Sequence, residues 1–275
     1  MTIDAREGAV VITGACAGIG ESAARAFAAR GFNVALVSQR PEELEAAAEW
    51  IRSRAGKATA FATDLSQPQQ VASLIKRVES QMGPVTILMN NAGIGLGATV
   101  LQTSMSDVRR LFEVNVFALM QLSKDALTSM SERRYGHIIN VSSGAARLGL
   151  PGVSAYSATK GAVHSFTQAL RTEASAVNVR VTEVLPISVR TSFFDNVHGE
   201  RYQPGGLVLT AEHVAAKIVR AAEARWCPPE LLPFRPLWAA FVADALLPGL
   251  MFRMASRSYR RGLFGTGAPE KPAGK

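Results

Sequence analysis

Ala9-Val10-Val11-Ile12-Thr13-Gly14-Ala15-Cys16-Ala17-Gly18-Ile19-Gly20 is the stretch on which the fold turns. Ala9 to Thr13 is a short apolar run closed by Gly14, and Ser22 to Arg30 behind it is alanine-rich with helical spacing. The reading is strand, glycine turn, helix. Glycines here let the backbone bend sharply and approach a diphosphate, whose charge would rest on the N–H groups and positive end of the following helix. Gly18 and Gly20 serve equally well for tight packing of helix on strand, so the turn alone selects neither use.

Working outward, the same alternation recurs. Asn33 to Ser38 reads as a strand and Pro41 to Arg54 as a helix that tolerates Pro at its first position. Ala58 to Ala62, Gln69 to Gln81 and Val85 to Asn90 continue as strand, helix, strand. A long helix near Ser106 to Arg133, a strand His137 to Val141, a helix Ala155 to Ala176 and a strand Arg180 to Leu185 follow. Six strands separated by helices predict parallel pairing through right-handed crossovers. The fold class is α/β, a doubly wound, Rossmann-like parallel sheet between two helical layers. Residues 1–234 are expected to form this domain, with 235–275 a C-terminal helical extension and flexible tail. Ligands of such sheets bind beyond the carboxyl ends of the strands, where small and polar residues collect here: Gly14 to Gly20, Ser38 to Arg40, Asp64, Asn90 to Gly93, Ser142, Ser143 and Pro186 to Thr191.

Composition agrees. The 275 residues are 48% apolar and only 7% aromatic, as suits helices packed on a buried parallel sheet. The formal charge of +8 invites a nucleic-acid reading, but its distribution argues against one. From Arg235 onward the bases Arg235, Arg253, Arg257, Arg260, Arg261, Lys271 and Lys275 face only Asp244 and Glu270, so the body is mildly basic. No basic element interleaved with stacking aromatics occurs in the body. Cys16 and Cys227 make no disulfide framework, and Met1 to Gly8, with Asp4 and Glu7, lacks a charged-then-apolar leader. The expected location is cytoplasmic. His137, His164, His198 and His213 are scattered without ligand spacing, so no metal is expected.

Tyr156 and Lys160, four residues apart on a predicted helix, share one face. A phenol with pKa near 10 is a poor base at neutral pH until a neighbouring cation favours its phenolate, which Lys160 would do. Ser143, at the end of a strand, is placed either to hydrogen-bond a substrate carbonyl or to cap backbone groups. Asn115, a poor helix former between Val114 and Val116, is expected to be buried with a specific partner, as a structural amide or in a proton relay.

Together, Thr13-Gly14-x-x-x-Gly18-x-Gly20, Asn90-Asn91-Ala92-Gly93, Asn115, Ser143 and Tyr156/Lys160 resemble the classical short-chain dehydrogenase/reductase (SDR) family, over about Ala9 to Thr191. The resemblance implies a nicotinamide-dependent oxidoreductase acting on a carbonyl/alcohol pair. It implies that Tyr156 is the general acid in reduction and base in oxidation, that Lys160 holds the nicotinamide ribose and lowers the tyrosine pKa, and that Ser143 orients the substrate oxygen. Asn115 would hold a water linking Lys160 to solvent. Cofactor contacts would come from Gly14, Ala17, Gly18, Ile19 and Gly20, from Asp64 and Leu65 at the adenine, and from Asn91, Ala92 and Gly93 near the adenosine ribose. Pro186, Val189 and Thr191 would meet the carboxamide. One departure is Ile187, which replaces the family's usual glycine and predicts a reshaped floor to the nicotinamide site. Ser38-Gln39-Arg40 holds no acid to accept from a ribose 2′-OH, and Arg40 suits a 2′-phosphate, so NADP(H) is favoured over NAD(H). A homodimer or homotetramer on the two long helices is implied by the family. A catalytically idle nucleotide-sensing or scaffold protein on the same fold is the alternative.

Ser192 to Pro204, with Phe193, Phe194 and Tyr202, reads as an apolar pocket lid or a loop anchored in the core. Leu237 to Met254 is strongly apolar and is followed by arginines, but Asp244 and Pro248-Gly249 argue against a spanning helix. Residues 237–261 would lie on an anionic membrane surface, cover a lipophilic pocket or form a subunit interface.

Overall fold

The structure is a computed structural model, and it describes residues 8–191, 193, 198–199 and 208–261. Residues 1–7, Phe194, Tyr202 and the tail beyond 261, about which the sequence raised expectations, lie outside the described residues.

Strand β1 (Ala9–Thr13) leads through the glycine turn into α1 (Gly18–Ala28), then β2 (Asn33–Ser38), α2 (Pro41–Arg52), β3 (Lys57–Ala62), α3 (Pro68–Met82) and β4 (Val85–Asn90). Next come α4 (Met105–Phe112), a π-turn at Glu113–Phe117, α5 (Ala118–Arg133), β5 (His137–Val141), α6 (Ser154–Ser175) and β6 (Arg180–Val184). The chain continues with α7 (Ala211–Glu223), β7 (Glu230–Leu231), α8 (Leu237–Leu246) and α9 (Pro248–Arg260). The sheet is seven-stranded and parallel, in the order β7-β6-β5-β4-β1-β2-β3. Because β1 pairs with both β2 and β4, the winding reverses beside it, and a crevice opens past the ends of those two strands.

The period of two in β1 sorts its side chains between the layers. Val10 and Ile12 pack with Ala23, Ala24 and Phe27 of α1 and with Val214 and Ile218 of α7. Ala9 and Val11 face Leu74 of α3, Leu122 of α5 and Leu170 of α6. The alanines of α1 let that helix lie close to the sheet, and Phe27 meets Phe32 edge-on at 5.3 Å. Complete burial of such a phenyl ring contributes about 2 kcal/mol.

The structure corrects the sequence reading in two places. A seventh strand, β7, adds to the edge at β6, and the amphipathic helix α7 covers the sheet beside α1. The expected long helix at 106–133 is interrupted by the π-turn that carries Asn115. The extension packs on the domain, as one of the expected alternatives had it: Phe241 of α8 is buried and Arg147 stacks over its ring at 5.0 Å.

Candidate active site

A cavity of about 800 Å³ opens over the carboxyl ends of β1, β4, β5 and β6. Gly14, Ala17, Gly18, Ile19 and Arg40 line it together with Asn91 to Gly93, Ser143, Tyr156, Lys160, Pro186, Val189 and Thr191.

The glycine turn is built for close approach. Gly14 and Gly18 have φ of +67° and +57°, where an L side chain is strained, and a Cβ on Gly18 would stand 2.7 Å from Thr191 Cγ2. A Cβ on Gly20 would meet the Gly14 carbonyl oxygen at 2.2 Å, so Gly20 serves helix packing and does not line the cavity. Thr13 locks the turn to the end of β4. Its Oγ1 accepts the N–H groups of Asn91 and Ala92, each at 3.0 Å, while Asn91 Nδ2 donates to Thr13 O. Helix α1 starts at Gly18, closer to the turn than its alanine pattern suggested, and no side chain caps it. Its first N–H groups therefore remain available for an anion at the cavity edge.

Helix α6 places Tyr156 and Lys160 on the cavity side, with Lys160 Nζ 5.7 Å from the phenol ring centroid. Phe193 packs on the other side of Tyr156, its centroid 5.7 Å away. Lys160 is 4% exposed, and its ammonium donates to Val141 O at 3.1 Å. Burial pushes its pKa down to about 8, opposed by the attraction of Glu183. Ser143 caps the short 3₁₀ turn Gly144–Ala146, its Oγ accepting the Ala145 N–H at 3.1 Å. That bond uses a lone pair and leaves the hydroxyl proton free to donate into the cavity, so capping and substrate contact are compatible.

Asn115 does not line the cavity. Its Oδ1 accepts from Ile94 N–H at 2.8 Å, and its Nδ2 donates to Ile94 O and Thr159 Oγ1. The carboxamide is thus the structural tie between the π-turn, the 91–95 segment and α6. Asp64 turns to Ser66, accepting from its N–H and Oγ, and Leu65 packs into the core beside Val11, so neither reaches the cavity. Ser38 also lies off the lining and accepts the Arg40 N–H at 3.3 Å. The Arg40 guanidinium lines the cavity but is paired with Glu43 at 2.6 Å. Ile187 is half-buried on the lining, so the side chain that replaces glycine does shape this wall.

Several features escaped sequence reasoning. Leu148, Leu150, Val153, Leu237 and Ala240 make part of the wall apolar, which brings α8 over the cavity. His164, apparently isolated in the sequence, converges with Glu183 and Glu230, with one potential ligand atom from each lying within 4.8 Å of the others. An acid inside the otherwise buried strand Arg180–Val184 was the available signal. Both cysteines are free, and burial raises both thiol pKa values, as expected of unreactive thiols.

The chain is similar in sequence and fold to known proteins. The family profile described as short chain dehydrogenase matches residues 8–201. A mouse protein, dehydrogenase/reductase SDR family member 7B, is 33% identical over 270 residues, covering 92% of this chain and 82% of its own. Ketoacyl reductase HetN of a Nostoc species is 33% identical over 177 residues, 64% of this chain and 62% of its own. The solved structure of a short-chain dehydrogenase from Sphingobium yanoikuyae in complex with NADPH superposes with a TM-score of 0.77 at 27% identity, covering 96% of this chain and 98% of that one.

Proposed function

Because this chain belongs to the short chain dehydrogenase family, we propose that its cavity takes NADP(H) and an apolar secondary alcohol or ketone and interconverts the latter pair. The observation that carries the reading is the convergence of Tyr156, Lys160 and Ser143 with the glycine turn on one cavity. The residues present fit a dinucleotide. The missing Cβ atoms at Gly14 and Gly18 leave a backbone cradle, and the uncapped start of α1 suits a diphosphate. In this reading Pro186, Val189 and Thr191, which line the cavity, meet the carboxamide, and Lys160 meets the ribose. A bound nicotinamide supplies or accepts the hydride.

The chain's own groups manage the proton. The Tyr156 hydroxyl donates its proton to the carbonyl oxygen in reduction and recovers it from the alcohol in oxidation. The Ser143 hydroxyl donates a hydrogen bond to that oxygen and fixes its position. The Lys160 ammonium stabilises the phenolate left behind, and the π-turn at Asn115 holds the 91–95 wall against which Lys160 lies. Leu148, Leu150, Val153, Phe193 and Leu237 favour an apolar substrate body. The NADPH complex of the Sphingobium relative and the position of Arg40 on the cavity lining support the phosphorylated cofactor. A screen of ketones and alcohols against NADPH and NADH, followed by nicotinamide absorbance, tests this. Turnover confined to NADPH and to apolar carbonyl compounds is expected, and equal use of NADH would remove the cofactor assignment.

Two contacts complete the proposal. Phe117, Met120, Leu127 and Phe166 form an apolar groove on α5 and α6, with Phe117 exposed, and this face is assigned to self-association. Among the described residues no single helix is long and apolar enough to cross a membrane, and α8 and α9 meet at a 115° bend. Leu246, Leu247 and Leu250 at that bend are exposed, and Arg253, Arg257 and Arg260 follow, which suits a corner resting on an anionic lipid surface. Equal sedimentation of the full chain and of one ending near Phe234 with anionic vesicles would discard that contact.

A further inference from the structure

The face of α6 that carries Tyr156 and Lys160 continues, one turn further, to His164. His164 Nδ1 lies 2.7 Å from Oε2 of Glu183, which sits in β6 and is completely buried. Glu183 pairs in register with Asn140 of β5, the residue before Val141, whose carbonyl receives Lys160 Nζ. Asn140 in turn donates to Thr167 of α6, so this side of the two strands faces that helix. The second carboxylate oxygen of Glu183, Oε1, is buried with no hydrogen-bond partner.

Two costly groups are therefore buried under one helix. Lys160 offers three donors, of which one is matched to Val141 O, and Glu183 keeps one oxygen unmatched. A buried unmatched ammonium or carboxylate alone is strongly unfavourable, but two opposite charges held near each other in a poorly screening interior offset one another. Further out, Glu230 of β7, close to Glu183 and His164, pairs with Arg147 at 2.5 Å. That ion pair occupies Glu230, so the His164, Glu183 and Glu230 cluster is better described as an ionic chain than as a metal site.

We propose that Glu183 is a positioning residue for Lys160, the buried counter-charge that keeps its ammonium beside the Tyr156 phenol, with His164 fixing the carboxylate. This rests on the assignment of Tyr156 and Lys160 given above. Among the described residues, Glu183 from β6 and Tyr156 from its own helix bear on Lys160, while β5 offers it the neutral Val141 carbonyl; His164, Glu230 and Arg147 lie further out around Glu183. Burial already holds the lysine near pKa 8, and Glu183 is the influence that works against burial. Without that charge the ammonium would be held less firmly, and the field that favours the phenolate would weaken.

The test reads Lys160 itself and needs no turnover. The chain has seven lysines, Lys57, Lys76, Lys124, Lys160, Lys217, Lys271 and Lys275, so protein labelled with 13C at the lysine Cε gives few signals, and the one lost in Lys160→Arg is assigned. In Glu183→Gln the titration midpoint of that signal is expected about one pH unit below wild type, whereas Glu183→Asp, which keeps the charge, stays close to wild type. If Glu183→Gln does not fold, Glu183→Met, of similar volume and equally uncharged, serves in its place and should lower the midpoint in the same direction. An unchanged midpoint in whichever of these two variants folds overturns the proposal. Failure of the ketone screen would count against the assigned reaction and leave this readout unaffected.

Discussion

Lys160 Nζ reaches the backbone oxygen of Val141 at 3.1 Å from a position that is 4% exposed, so the chain carries an ammonium inside its sheet-to-helix interface. Such a placement works against folding. With a folded pKa near 8 and an unfolded value of 10.5, the unfolded chain holds one more proton between those limits. Stability without ligand should therefore rise with pH from about 8 to 10.5. Lys160→Met removes the titrating group and leaves Glu183 without its counter-charge, so it should flatten this rise, give no stabilisation at pH 7 and abolish turnover. Urea denaturation at pH 7 and pH 10 checks this, and a rise between pH 8 and 10.5 that persists in Lys160→Met would contradict the account.

His137 gives the complementary acid limb. It is fully buried at the start of β5, and burial, then the Arg180 guanidinium, hold its pKa well below 6.5. Below pH 6.5 the unfolded chain takes up a proton that the folded one refuses, so stability falls by about 1.4 kcal/mol per pH unit from this residue. His137→Gln, which removes the titrating group, should flatten the decline between pH 6.5 and 5 in thermal melts.

The approach of Gly18 to Thr191 predicts a coupled pair. Gly18→Ala places a methyl 2.7 Å from Thr191 Cγ2 at φ +57° and should cost about 2 kcal/mol, with NADPH affinity reduced at least tenfold. Thr191→Ser removes the opposing methyl, so the double variant should recover about half of the loss in a double-mutant cycle.

Much of this site was legible in the sequence, for reasons that differ by residue. Strand β1 and its turn were visible because an apolar run ends at glycines, and the 156/160 spacing puts two side chains on one helix face whatever the tertiary fold. Strand β7 was not, since Glu230–Leu231 is two residues long and gains its strand character only by pairing with β6. The π-turn at Asn115 depends on Ile94 and Thr159, which no local pattern announces. Asp64 was assigned to a ligand on family grounds, and the fold adds a local contact that the sequence did not announce, its Oδ1 accepting from the Ser66 N–H and hydroxyl. His164 looked inert because its partner Glu183 belongs to the next strand.

The proposed preference for NADPH puts Arg40 and its ion-pair partner Glu43 under direct test. Arg40→Ala should raise the KM for NADPH at least tenfold and leave that for NADH nearly unchanged. Glu43→Gln, by releasing the guanidinium from its 2.6 Å ion pair, should lower the KM for NADPH. Steady-state kinetics with both cofactors separates these effects, and equal changes for the two would remove Arg40 from 2′-phosphate recognition.

The central claim is that the Tyr156 hydroxyl carries the proton to and from substrate oxygen. Its most direct test is Tyr156→Phe, assayed with the best ketone of the screen and with NADPH binding measured separately by fluorescence. The account predicts a fall in kcat of about 10³-fold with NADPH affinity held within a few-fold. Turnover by Tyr156→Phe at the wild-type rate would contradict it.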